Sequence, residues 1–234
     1  MASFTAVVTG ASRGIGAAVA EAFAAKGASL VLGARDQAAV QAVADGLPAE
    51  TTVRAVEVDV REEASVKELL SVAADTRGEI DVLVTSAGVY HGESGHTPLP
   101  EEPYDRYDDH MATNARGVFA TIREAVPHLA TEARVLVPSG KPARQATPGT
   151  GSYAVSKAAA EAIARGFAAD LDQVVGIVDP GQVQTDLTGK DFGREPADVA
   201  PLYVWAAREA PAEAIDGQVA GIKAWLQATR GEAE

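Results

Sequence analysis

The apolar positions of this chain follow two rhythms that alternate from one end to the other. Short runs rich in Val, Leu and Ile form one set: "FTAVVT" from Phe4, "SLVLGA" from Ser29, "TTVRAVEV" from Thr51, "DVLVTS" from Asp81, "ARVLVP" from Ala133 and "VVGIVD" from Val174. Between them lie longer stretches, "GIGAAVAEAFAAKG", "DQAAVQAVADGL", "EEASVKELLSVAADTRG", "YDDHMATNARGVFATIREAVPHLA" and "SYAVSKAAAEAIARGFAADL". These place small or apolar residues three and four apart, the period of one helix face. Strands apolar on both faces, alternating with helices, predict a parallel sheet covered on both sides with right-handed crossovers. The expectation is one doubly wound α/β domain over 1–234, in three α/β/α layers.

No repeat or low-complexity linker breaks the pattern. The loosest segment is "GVYHGESGHTPLPEEPYD", Gly88 to Asp105, which follows the fourth strand. It should lie at the carboxyl edge of the sheet, where such folds bind ligands. The tail "GIKAWLQATRGEAE" should pack Trp225 and Leu226 and then fray.

Composition narrows the function classes. A formal charge of −13 opposes nucleic acid or an anionic membrane as the main partner. The absence of cysteine removes disulfides and thiolate metal sites. With no signal-like N-terminus and no apolar run of membrane length, a soluble, cytoplasmic protein is expected. Lys26, Lys67, Lys141, Lys157, Lys190 and Lys223 are all its lysines. That acidic, lysine-poor surface fits either a salty cytoplasm or an ordinary acidic protein.

"TGASRGIG", Thr9 to Gly16, follows the first strand and opens the first helix. Gly10, Gly14 and Gly16 let the chain turn tightly and bring backbone N–H groups to a phosphate. At the end of the second strand, "GARD" puts Ala34 where an NAD site wants an acid for the ribose hydroxyls. Arg35, with Arg13 from the glycine turn, suits a 2′-phosphate and hence NADP. The other reading has two solvated arginines, Asp36 on the ribose and NAD as cofactor. Asp59, at the end of the third strand, either accepts from an adenine amine or caps the next helix.

Together these segments resemble the short-chain dehydrogenase/reductase family over nearly the whole chain. The resemblance rests on "TGASRGIG", "DV" at Asp59, "SAG" at Ser86 to Gly88, "NARGVF" from Asn114, "YAVSK" from Tyr153 and "DPGQVQTDL" from Asp179, in the family's order and spacing. It implies a Rossmann-type sheet, with a cofactor half about 1–135 and a catalytic and substrate half about 136–234. It implies carbonyl–alcohol redox chemistry on a small molecule by a homodimer or homotetramer. Tyr153 would exchange the proton, and Lys157, one turn along, would lower its pKa and hold the nicotinamide ribose. Asn114, the chain's one asparagine, would anchor a water linked to that lysine. The resemblance also assigns cofactor contacts to Ser12, Ile15, Val60, Ala87, Gly88, Pro180, Gly181, Val183 and Thr185.

The chain departs from the family at its hydroxyl. The position thirteen residues before Tyr153 is Gly140, and Ser139 is one step earlier. A one-residue slip turns a strand side chain to the other face, unless a bulge at Pro138–Gly140 re-aims it. Either Ser139 polarises the substrate oxygen from a shifted backbone, or the serine is missing. "TSAG" replaces the usual paired asparagines, and the short segment after Thr185 predicts a small lid over an open site. His91, His96, His110 and His128 lack metal-ligand spacing, so no metal is expected. His110 and His128 should lie on helix surfaces and His91 at the pocket. The expectation is an NADP-preferring reductase or dehydrogenase. The rivals are a dinucleotide-binding sensor without turnover, which Gly140 favours, and a redox-inert isomerase or lyase.

Overall fold

Seven strands pair in the order β3-β2-β1-β4-β5-β6-β7, all parallel, in a computed structural model that describes residues 4–187, 189 and 192–230. They are β1 (Thr5–Thr9), β2 (Ser29–Ala34), β3 (Val53–Glu57), β4 (Ile80–Thr85), β5 (Leu129–Pro138), β6 (Val174–Asp179) and β7 (Val219–Gly221). The helices are α1 (Gly14–Ala24), α2 (Gln37–Asp45), α3 (Glu63–Arg77), α4 (Tyr104–His110), α5 (Gly117–Ala125), α6 (Gly151–Asp170), α7 (Pro196–Arg208), α8 (Ala212–Ile215) and α9 (Ile222–Arg230).

Period-two alternation of side chains divides the core into two layers. Val7, Val31, Leu83, Val135, Val137 and Ile177 face one way, onto Leu69 of α3, Ile122 of α5 and Ala160 of α6. Val8, Leu30, Leu32, Val84, Leu136 and Val178 face the other, onto Phe23 of α1, Val40 of α2 and Tyr203 of α7. This is the doubly wound, three-layer α/β/α arrangement that the alternating rhythms predict. The strand order reverses between β1 and β4, which opens a crevice at their carboxyl ends.

Two local expectations are corrected and one element is added. The long stretch from Tyr107 is not one helix: α4 and α5 flank a π-helical turn, Met111–Arg116, and Leu129 already begins β5. α7 adds a helix that no simple one-face periodicity announces, since it is buried on most sides and carries Pro201 inside. The segment Gly88 to Asp105 is pinned rather than loose. The Gly149 carbonyl accepts from the Gly95 and Thr97 amides and the Thr97 hydroxyl, at 3.0, 3.0 and 2.8 Å. In the tail Trp225 packs on the core, while the expected fraying of 231–234 lies outside the described residues.

Candidate active site

The site begins at the turn between β1 and α1. Gly10 (φ 67°) and Gly14 (φ 57°) occupy the left-handed region, which costs glycine little. A Cβ on Gly16 would lie 2.3 Å from the Gly10 carbonyl oxygen, and one on Gly10 would lie 2.6 Å from the Ala87 amide. The turn is therefore folded onto itself and against the chain after β4. Arg13, the residue that enters α1, makes no side-chain capping bond, so the first amides of that helix are open to an anion. This cradle fits the pyrophosphate of a dinucleotide. It floors a cleft of about 410 Å³.

At the cleft's rim β2 ends in Ala34, which is 6% exposed. Asp36, also on the rim, caps α2, its Oδ1 accepting from the Ala39 amide at 3.0 Å. Arg35 stands exposed on the rim and forms no ion pair among the described residues. Arg13 approaches Asp186 at 3.9 Å across the cleft. Asp59 does not cap α3. Its Oδ1 accepts from the Arg61 amide at 3.0 Å, and the Arg61 guanidinium grips both oxygens and reaches Asp109. The Arg61 side chain holds the Asp59 carboxyl below its usual range, against the opposing effect of burial.

All the expected cofactor residues line this cleft except Gly181 and Val183. The Gly181 amide is bonded to Asp179 Oδ1 at 2.9 Å. Val183 is 5% exposed, beside a bridge in which Gln182 and Gln184, not Val183, bond the Arg194 backbone.

Tyr153, Lys157, Asn114 and Ser139 are brought to the same cleft. Tyr153 and Lys157 stand one turn apart on α6, whose N-terminus is capped by Glu102: its Oε2 accepts from the Ser152 amide at 2.7 Å. The Tyr90 ring sits edge-on to Tyr153, centroids 4.7 Å apart. Lys157 does not draw the phenol down as expected. Its ammonium donates to the Pro138 carbonyl at 2.6 Å, and desolvation pushes Tyr153 up to about 12, with Tyr90 and Asp179 adding to the rise. Desolvation brings Lys157 down to about 8, opposed by the Glu161 carboxylate.

Asn114, 1% exposed in the π-helical turn, accepts from the Val89 amide at 2.8 Å. It donates to the Val89 carbonyl at 2.9 Å and to Ser156 Oγ at 3.0 Å. The side chain thus staples the chain after β4 to α6, with no direct bond to Lys157.

The bulge that would re-aim Ser139 is not there. The β5–β6 register runs without interruption to Pro138 opposite Val178, and the Ser139 amide continues it to the Val178 carbonyl at 2.8 Å. Alternation then sends Ser139 the way of Val135 and Val137, toward α6. Its hydroxyl donates to Glu161 Oε1 at 2.7 Å.

Several residues at the site escaped the sequence reading. Glu161 is 1% exposed and also receives Arg144 and Arg165. The signal was its spacing, because Tyr153, Lys157, Glu161 and Arg165 follow one another at four-residue intervals on one helix face. His110 is a correction: it is 1% exposed rather than on a helix surface. Its Nε2 accepts from the His91 amide at 3.0 Å, so Nδ1 carries the proton, 2.7 Å from Ser152 Oγ. Burial first, then the neighbouring His91, holds its pKa below the ordinary value.

The family model for short chain dehydrogenases matches residues 4–195. The glycine betaine reductase of Emericella nidulans is 32% identical over 87% of this chain, although the chain spans only 17% of that protein's length. An uncharacterized oxidoreductase of Staphylococcus saprophyticus is 30% identical, with 87% of this chain and 91% of that one covered. Among solved structures, an alcohol dehydrogenase from the archaeon Thermococcus sibiricus, complexed with 5-hydroxy-NADP, superposes with a TM-score of 0.84. It is 28% identical, with 94% and 96% of the two chains covered. The cleft, its glycine cradle and the Tyr153–Lys157 helix thus stand in the setting of known oxidoreductases, and the chain belongs to the short-chain dehydrogenase family.

Proposed function

We propose that this protein is an NADP-preferring oxidoreductase that interconverts a small-molecule ketone, 3-oxoacyl compounds included, and a secondary alcohol. The observation that carries the cofactor preference is the rim of β2. Ala34 is buried, Asp36 is committed to α2, and the Arg35 guanidinium stands exposed beside them. A 2′-phosphate would meet Arg35 and Arg13 there, whereas the ribose of NAD would find no free acid from β2. The 5-hydroxy-NADP complex of the Thermococcus relative supports the same preference. NADPH should bind at least about tenfold tighter than NADH, and Arg35→Ala should remove most of that difference. Equal dissociation constants for the two in the wild type would end this reading.

The bound nicotinamide supplies or takes up the hydride. What the chain contributes is the proton and the alignment. With its pKa at about 12, Tyr153 is protonated at neutral pH and can donate to a ketone oxygen. Lys157 lies one turn away as the nearest proton reservoir, and Asn114 joins the relay through a water. Gly14, Gly16, Pro180 and Thr185 line the pyrophosphate and nicotinamide ends of the cleft. The acidic, cysteine-free composition supports a cytoplasmic location. Phe119 of α5, 44% exposed, stacks on Phe167 of α6, an apolar pair that favours a homodimer or homotetramer.

One observation favours a second reading, a dinucleotide-binding sensor. Ser139 is bonded to Glu161 and Gly140 has no side chain, so no hydroxyl from β5 is aimed at the substrate oxygen. A carbonyl panel that leaves NADPH unoxidised, with NADPH still bound, would select the sensor.

A further inference from the structure

Arg144 joins three parts of the site that are distant in sequence. One arm of its guanidinium is bonded to Glu161 Oε1 on α6, the other to Asp179 Oδ2 at the end of β6. Glu161 Oε1 also accepts from Ser139 at the end of β5. Asp179 Oδ1 in turn accepts from the Gly181 amide at 2.9 Å, shaping the turn whose Pro180 lines the cleft. The two carboxylates are deeply placed, with side chains 1% and 13% exposed, and Arg144 itself is 30% exposed. A planar fork can bridge two carboxylates in a fixed geometry, whereas a lysine ammonium is a point charge on a flexible stem.

We propose that Arg144 is a positioning residue. By tying Glu161 to Asp179 it sets the spacing between the helix that carries Tyr153 and Lys157 and the wall at Pro180, so that a carbonyl is held against the Tyr153 hydroxyl without help from a hydroxyl at position 140. Glu161 is the hub on the α6 side. It lies one turn beyond Lys157 and two beyond Tyr153, so a shift of its carboxylate is felt along the row they share. The uninterrupted register that turns Ser139 toward α6 lets its hydroxyl add a third donor to the same buried carboxylate, beside Arg144 and Arg165. The positioning role rests on the Tyr153 chemistry proposed above, whereas the coupling of the two walls does not.

The test compares Arg144→Lys, Arg144→Ala and wild type in two measurements. The first needs no substrate: amide hydrogen exchange of the chain alone over 139–144 and 179–183. Faster exchange in both segments together in Arg144→Lys is the expected result, with a melting temperature close to wild type. Exchange that rises in one segment only, or in neither, overturns the coupling. The second uses NADPH and cyclohexanone, a monoketone inert toward guanidinium groups, as the probe carbonyl. In Arg144→Lys kcat should fall about tenfold with KM and the NADPH dissociation constant within about twofold, the pattern of lost alignment rather than lost binding. Arg144→Ala should fall further and recover in part with added guanidinium ion but not with sodium. A purely structural arginine would lower the melting temperature and leave kcat per folded molecule unchanged, which overturns the positioning role. Where wild type does not turn over cyclohexanone, the comparison uses the first monoketone of a panel that it does reduce, and a panel with no substrate overturns the positioning role while the exchange result still decides the coupling. Coupled exchange together with an active Tyr153→Phe variant would leave the arginine clamp standing and remove the Tyr153 reading.

Discussion

The two ends of the cleft are built by different means. The pyrophosphate end is made of backbone: a turn of glycines, open helix amides and close contacts that a single Cβ would destroy. The catalytic end is made of side chains whose aim depends on strand register and on partners far away in sequence. A backbone site follows from local conformation, which glycine spacing encodes directly. A side-chain site requires knowing which face each residue presents and what already occupies its polar atoms. The glycine end lay where its sequence placed it. At the catalytic end the Ser139 hydroxyl is bonded to Glu161 and the Lys157 ammonium to the Pro138 carbonyl, partners that no spacing announced.

The largest effect that would test this contrast is Tyr153→Phe. It keeps the ring against Tyr90 and removes the proton, so kcat should fall roughly a hundredfold or more while NADPH affinity stays put. Wild-type turnover in that variant would mean the catalytic end has been assigned to the wrong acid. Next comes Gly16→Ala, because its Cβ would sit 2.3 Å from the Gly10 carbonyl oxygen. Calorimetry should show NADPH binding weakened by about an order of magnitude or more, the turn having lost its anion cradle. An unchanged affinity would break the claim that this end is a backbone device.

Ser139→Ala sharpens the comparison, since it should behave as a stability change in a place where the sequence expects a catalytic one. Losing a hydrogen bond to the buried Glu161 carboxylate should cost about 1.5–3 kcal/mol, while kcat stays within about threefold. A hundredfold loss of kcat with unchanged stability would return Ser139 to catalysis. Its neighbour offers the complementary change. A Cβ on Gly140 would meet only Pro142 Cδ, at 3.7 Å, so Gly140→Ser fits and should raise turnover severalfold.

The smallest effect is on stability against pH. The pKa of Lys157 is depressed to about 8 in the fold, from 10.5. Its contribution is therefore fully present above about 10.5 and is lost as pH falls through about 8, where the folded state must carry a desolvated charge. Lys157→Met should raise the melting temperature near pH 7, and the gain should shrink toward pH 10. A gain that is constant across that range would show that Lys157 is not desolvated.

Local pattern by itself determined the parallel sheet, six of its strands, the glycine turn and the face of α6 that carries Tyr153 and Lys157. Each of these depends on neighbours a few residues apart, and a periodicity or a required φ leaves its mark directly in the order of residues. Only the tertiary structure decided the rest. The π-helical turn carries Asn114, whose side chain reaches Val89 and Ser156, 25 and 42 residues away. His110 is buried because the chain after β4 folds over it and the His91 amide bonds its ring. Ser139 meets Glu161 because β5 keeps an even register against β6 and α6 crosses behind it. The Arg144 fork closes on acids 17 and 35 residues further along. Such contacts join buried polar groups across elements. Their geometry is set by packing the elements together, and no local spacing records which partner a side chain will find.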